Sequence, residues 1–172
     1  MNNNLSADVI ARAKKIKLLL MDCDGVLTDG RIYFSARGEA LKVFHVRDGQ
    51  GLAAWHQAGF RSGIISGRNA RKILEKRCAE LGIHYLKTGS KDKAQDLSEI
   101  LEDAKVRLEE TAYIGDDIGD ICLLEKVGLP VAVADAAAEI FPFAKYTTKL
   151  KGGDGAVREV TDLLLQARNF SV

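Results

Sequence analysis

Two aspartates stand two residues apart at the end of an apolar run. Asp22, Cys23, Asp24, Gly25 and Val26 follow residues 16–21, which are apolar except for Lys17. Carboxylates so placed are costly, because burial and like charge both favour the protonated form. A second acidic cluster, Gly115, Asp116, Asp117, Ile118, Gly119 and Asp120, follows another apolar run at 111–114. Aspartates can sit in a first helical turn merely to complement the dipole. That account leaves Asp116, at the strand end itself, unexplained. Several carboxylates converging on one crevice call for a cation, and all-oxygen ligation favours a hard one, most simply Mg²⁺. A hydroxyl and a glycine, Ser66 and Gly67, end a third apolar run and are followed by Arg68. A strand-end hydroxyl with backbone N–H groups suits an anion such as phosphate. Lys93 opens a helix, where the dipole disfavours it unless an anion lies near.

These groups need a scaffold that brings four separate segments to one edge. Short apolar runs alternate with amphipathic stretches along the chain. Strands are expected at 16–21, 61–66, 82–86, 111–115 and 129–134, with a last short one at 146–148. Helices are expected to open at Asp48, at 69 with Asn69 as cap, and over 91–103, 117–126 and 155–168. Such alternation predicts an α/β fold, a doubly wound, Rossmann-like parallel sheet covered on both faces. Ligands bind such sheets at the carboxyl ends of the strands. The alternation breaks once. Side chains alternate in character over 31–35 and 39–45 around Ala36, Arg37 and Gly38, which predicts a β-hairpin insertion after strand 1, at about 30–46.

Composition narrows the function classes. The chain has 172 residues, 47% hydrophobic and 28% charged, which suits a single domain spanning 1–172 and excludes a disordered chain. Its net charge is +1, so nothing draws it to nucleic acid or an anionic membrane. Cys23, Cys78 and Cys122 lack the paired spacing of a zinc site and are expected as reduced thiols in a cytoplasmic protein. The polar residues 1–4 and the short apolar run at 18–23 are not expected to form an export signal or a spanning helix. Cys23 and Trp55 are expected in the core. His45, His56 and His84 have no metal-ligand spacing, and His56 is expected on a helix surface.

Taken in order, the acid pair, the serine, the lysine and the acid cluster resemble the haloacid dehalogenase (HAD) superfamily of aspartyl phosphatases. The stretches 21–51, 66–68 and 152–160 are similar to the minimal-cap 3-deoxy-D-manno-octulosonate 8-phosphate phosphatases of lipopolysaccharide synthesis. The resemblance covers about residues 14–168. One departure is Asp92, where it implies Asn. It implies a HAD-like fold and a phosphomonoesterase with Asp22 as nucleophile and Asp24 as general acid and base. It implies Mg²⁺ on the Asp22 side chain, the Asp24 backbone carbonyl and the Asp116 side chain, with Asp117 and Asp120 behind them or reaching it through water. Ser66, Gly67 and Lys93 would then hold the phosphoryl group, and Arg68 the carboxylate of a sugar acid. The hairpin around Tyr33, Phe34 and Val43 is too small for a lid, and the resemblance implies that hairpins assemble a homotetramer. Residues 152–158 either cover a neighbouring subunit's site or cap the last helix. A nine-carbon sugar acid 9-phosphate as substrate, a non-catalytic sugar-phosphate-binding subunit and a receiver-type signalling domain are the alternatives. The Asp22/Asp24 spacing and the hairpin argue against the receiver domain.

Overall fold

The computed structural model describes residues 5–170, so the polar stretch 1–4 lies outside the described residues. Six parallel strands form one sheet in the order β5-β4-β1-β6-β7-β8. They are β1 Leu18–Met21, β4 Arg61–Ser66, β5 Tyr85–Thr88, β6 Thr111–Gly115, β7 Leu129–Ala132 and β8 Tyr146–Thr147. The inserted hairpin is antiparallel, β2 Tyr33–Ser35 against β3 Gly38–Leu41, and it does not join the main sheet.

Helices cover both faces, as a sheet buried on both sides requires. Leu19, Met21 and Ile64 point to one face, where they pack under α1 (Ala7–Ala13), α2 (Val46–Gln57), α3 (Arg71–Leu81) and α6 (Ala156–Gln166). Leu18, Leu20 and Ile65 point to the other, under α4 (Lys93–Ala104), α5 (Ile121–Leu124) and a 3-10 segment at Ala138–Phe143. The alternation is the period-2 geometry of a strand. Trp55 is fully buried; its ring stacks on Phe60 at 4.2 Å and its Nε1 donates to the Arg61 carbonyl at 2.8 Å.

The boundaries differ from expectation where caps decide them. Helix α2 begins earlier, because His45 Nδ1 accepts from Arg47 N. Helix α3 is led by Ala70 without a side-chain cap, so Asn69 is not its cap. Helix α4 begins at Lys93, since Asp92 accepts from the N–H groups of Ala94 and Gln95 at 3.0 Å each. An Asn carbonyl could accept the same bonds, so the departure at Asp92 leaves this helix start intact. The helix expected over 117–126 is a 3-10 turn, Ile118–Asp120, followed by α5. Helix α1 was not expected; Ser6 caps it and Val9 and Ala13 anchor it. His56 is not a free surface residue. Its ring nitrogens lie 2.8 Å from Ser62 Oγ and 3.0 Å from the Leu81 carbonyl.

Helix α6 begins after Gly155, which has no side chain to cap it. Asp48 of α2 takes that part, accepting from Arg158 N at 2.8 Å while 1% exposed. It ties the last helix to the first helix after the hairpin. Asp48→Ala is expected to cost about 1–2 kcal/mol of stability, the usual worth of a lost N-terminal cap, read as a lower urea midpoint.

Candidate active site

Strand β1 lies between β4 and β6, so the ends of these three strands meet at one carboxyl edge. Met21 pairs with Ile64 on one side and Ile114 on the other. Asp22 is the next residue after β1, Ser66 closes β4, and Asp116 follows β6. A crevice of about 350 Å³ opens there, lined by Asp22, Asp24, Ser66, Gly67, Arg68, Lys93, Asp116, Asp117 and Asp120, with Gly30 and Gly119. All the residues singled out from the sequence therefore share one crevice.

The chain does not run extended past Asp22. It turns tightly, with the Cys23 carbonyl accepting from Leu27 N at 2.9 Å and Thr28 N at 3.1 Å. Gly25 sits at φ +85°, and a Cβ there would lie 2.0 Å from Asp116 Oδ2. This turn, not strand geometry, brings Asp24 to the crevice. Cys23 points into the core, where burial pushes its thiol pKa up. Residues 151–155 lie over the same turn. A Cβ on Gly152 would meet the Gly25 carbonyl oxygen at 1.6 Å. In this chain the segment therefore leads into α6 and presses on the turn that carries Asp24.

Asp120 is the buried anchor, at 1% exposure. One oxygen accepts from Lys93 Nζ at 2.7 Å and from Tyr113 Oη at 2.7 Å. The other accepts from Asp116 N at 3.0 Å. Lys93 Nζ also lies 2.8 Å from Asp22 Oδ2, so it bridges the two acids. Asp22 Oδ1 accepts from Cys23 N at 2.6 Å. Burial, then Asp120, pushes the Asp22 carboxyl up to about 6, with Lys93 opposing. Asp116 is pushed up to about 8 by burial, then by Asp120, Asp22 and Asp117. Asp117 itself is exposed and caps the 3-10 turn.

Carboxylate oxygens of Asp22, Asp116 and Asp120 lie within 4.8 Å of one another. Asp116 Oδ1 is buried without a hydrogen-bond partner among the described residues. A hard divalent cation would satisfy that oxygen and relieve the repulsion, so the donor set fits Mg²⁺. On the opposite wall Ser66 is 1% exposed, and its Oγ accepts from Arg68 N at 3.3 Å. The Arg68 carbonyl takes Thr88 Oγ1 at 3.0 Å and Gly89 N at 3.1 Å, which pins this turn to the loop before α4.

Lys42 is the site residue missed in the sequence. It lies just past β3, buried, and pairs with Asp24 and with Glu39, the latter at 2.7 Å. Glu39 in turn lies 3.3 Å from an Arg68 terminal nitrogen. The hint was a lysine within alternating strand residues.

Acids, a bridging lysine and a hydroxyl at the carboxyl edge of a parallel sheet define a phosphoryl-transfer hydrolase. Comparison with known proteins agrees. A family model described as haloacid dehalogenase-like hydrolase matches residues 84–160. The chain is 51% identical over 164 residues to the 3-deoxy-D-manno-octulosonate 8-phosphate phosphatase KdsC of Escherichia coli K12, covering 95% of this chain and 87% of that one. It superposes on a crystal structure of the Yersinia pestis phosphatase of that name with a TM-score of 0.92 at 48% identity, covering 95% and 88% of the two chains. A Moraxella catarrhalis structure of that phosphatase with magnesium, phosphate and KDO matches with a TM-score of 0.91 at 37% identity, covering 96% and 95%. The chain belongs to the 3-deoxy-D-manno-octulosonate 8-phosphate phosphatase family of haloacid dehalogenase-like hydrolases. It is a phosphatase.

Lys93 is the cation between two of the site's acids. Lys93→Met is expected to lower kcat/KM by about 10²–10³-fold, the usual loss when one group that stabilises transition-state charge is removed. Steady-state kinetics at saturating Mg²⁺ would measure it.

Proposed function

We propose that this chain hydrolyses 3-deoxy-D-manno-octulosonate 8-phosphate to the free sugar acid and phosphate, serving lipopolysaccharide synthesis in the cytoplasm. The observation that carries the reading is Lys93 bridging Asp22 and Asp120 beside the unpaired oxygen of Asp116. The names of the relatives supply the substrate.

The chemistry follows from the positions. Asp22 attacks phosphorus, and the sugar oxygen leaves as an aspartyl phosphate forms. Asp24 gives its proton to that leaving oxygen. It then takes one from the water that attacks the aspartyl phosphate, releasing phosphate and restoring Asp22. Ser66, Gly67 and Lys93 hold the phosphoryl oxygens, and positioning with charge stabilisation is most of what this transfer needs. The Asp22 and Asp116 side chains and the Asp24 backbone carbonyl would hold Mg²⁺. When bound, it supplies positive charge to the phosphoryl oxygens. Asp120, bonded to Lys93 and Tyr113, steadies the cluster, and Asp117 reaches it through water. Arg68 pairs with the sugar acid's carboxylate, and this cation favours the eight-carbon acid over a nine-carbon 9-phosphate.

Phosphate release from a panel of sugar phosphates, with and without chelator, tests the reading. A strong preference for the eight-carbon acid, abolished by chelator and by Asp22→Asn, is expected. Turnover by a clean Asp22→Asn preparation would refute the covalent route. Flat activity across the panel would remove the substrate and leave the phosphatase.

Assembly completes the proposal. Phe34 is 70% exposed, with Ile32, Leu41, Val43 and Val46 exposed on the same insertion and just after it. Apolar surface concentrated on one projecting element marks an association site. We infer that hairpins from four chains pack together as a homotetramer. Sedimentation at micromolar concentration should give four times the chain mass, and Phe34→Glu should lower it. A monomer with full activity would end this part of the reading.

A further inference from the structure

Lys42 is a buried cation that the chemistry above leaves unused. Its side chain is 1% exposed. It bonds Asp24 Oδ1 and reaches Glu39 Oε1 at 2.7 Å. Glu39 Oε2 meets the Arg68 guanidinium at 3.3 Å, and Arg68 Nε lies 3.9 Å from Asp24 Oδ2. The four side chains close a ring of two acids and two bases. They come from the turn after β1, the end of the hairpin and the turn after β4.

Taking an ammonium out of water costs several kcal/mol, and a buried ion pair contributes little net stability against an apolar replacement. The ring is therefore poorly explained as a fold stabiliser. Its geometry has a different consequence. Lys42 engages Asp24 Oδ1, while Oδ2 is buried and carries no hydrogen bond among the described residues, with Arg68 Nε 3.9 Å away. Without Lys42, only the longer Arg68 contact would orient that carboxylate.

We propose that Lys42 is a positioning residue for the reaction. It clamps Oδ1 of Asp24 and so fixes the orientation of the carboxyl that protonates the leaving group and then deprotonates water. Glu39 holds the Lys42 ammonium and steadies Arg68 beside it. This rests on the reading of Asp24 as acid and base given above. The hairpin then contributes to catalysis within its own chain, through charge delivered to the crevice wall.

The test compares an alkyl phosphate, whose leaving oxygen needs a proton, with p-nitrophenyl phosphate, whose leaving group does not. Lys42→Met is studied beside the double variant Glu39→Gln/Lys42→Met, which removes the carboxylate charge that the single change leaves buried. On the alkyl ester kcat should fall by about 10²-fold, within the usual range for a disturbed general acid, while KM holds within about twofold. On the aryl ester the burst of nitrophenolate should fall less than about tenfold, because phosphoryl transfer to Asp22 needs no acid there. Equal losses on both esters, or a loss confined to KM, would overturn the proposal. Asp24→Asn distinguishes the two levels of failure. If it discriminates between the esters and the Lys42 variants do not, only the role of Lys42 falls. If Asp24→Asn does not discriminate either, the assignment of Asp24 falls with it.

Discussion

Repulsion among carboxylates is the constraint on which this structure turns. Asp22, Asp24, Asp116, Asp117 and Asp120 line one crevice. Burial and mutual charge hold Asp22 and Asp116 well above the usual carboxylate range. Two lysines stand against these acids. Lys93 comes from the start of α4 and stands between Asp22 and Asp120. Lys42 comes from the hairpin and stands against Asp24. Burial alone would lower the pKa of Lys93, yet Asp22 and Asp120 raise it, so it stays charged where its charge is needed. The helix start that disfavours a lysine becomes tolerable because these anions face it.

Steric limits fix the acids as firmly as charge does. Strand ends deliver Asp22 and Asp116 side by side, because β1 and β6 are hydrogen-bonded neighbours. The Asp22–Asp24 relation then depends on a turn with no room for side chains. At Gly25 any Cβ would strike the Asp116 carboxylate, and at Gly152 it would strike the backbone of Gly25. Gly152 N in turn donates to Asp135 at 2.9 Å, and Gly153 N to the Val26 carbonyl at 2.9 Å. The C-terminal segment thus packs against the turn that carries Asp24. Asp48 fixes the start of α6 just beyond, so the far end of the chain contributes to the position of its first motif.

Much of this was legible in the residues. Strand β1 is an uninterrupted apolar run, β4 carries Ile64 and Ile65 near its end, and β6 carries Ala112, Tyr113 and Ile114; each closes on or is soon followed by a polar residue with no use in a core. That pattern is enough to place Asp22, Ser66 and Asp116 at one edge, since parallel strands share a direction. The order of strands explains why Lys93 joins them, as α4 crosses from β5 back to β6. What stayed hidden depends on contacts distant in sequence. Asp48 reads as a first-turn acid of α2, and only the packed fold shows that it caps α6. Lys42 reads as the polar member of an alternating strand, and only the closed hairpin shows it buried. The turn that carries Asp24 stayed hidden as well, because it depends on one carbonyl, that of Cys23, gathering several N–H groups and bending the chain. Short helix α1 escaped because seven residues give too little periodicity to detect.

The open crevice bears on how such a site can be selective. A lid raises the strength of every charge inside by excluding water. The hairpin here is three and four residues per strand and carries its largest side chains outward. Water therefore reaches the site, which suits a reaction that ends in hydrolysis, and screens any recognition made at the rim. Discrimination has to come from charges held rigidly before the substrate arrives, since rigidity survives solvent better than an isolated surface charge does. Arg68, in the role proposed for it, would meet that requirement. Its carbonyl is pinned by Thr88 and Gly89, and its guanidinium is held by Glu39, itself fixed by buried Lys42. A substrate carboxylate would meet a cation already in place, with no lid needed to set it.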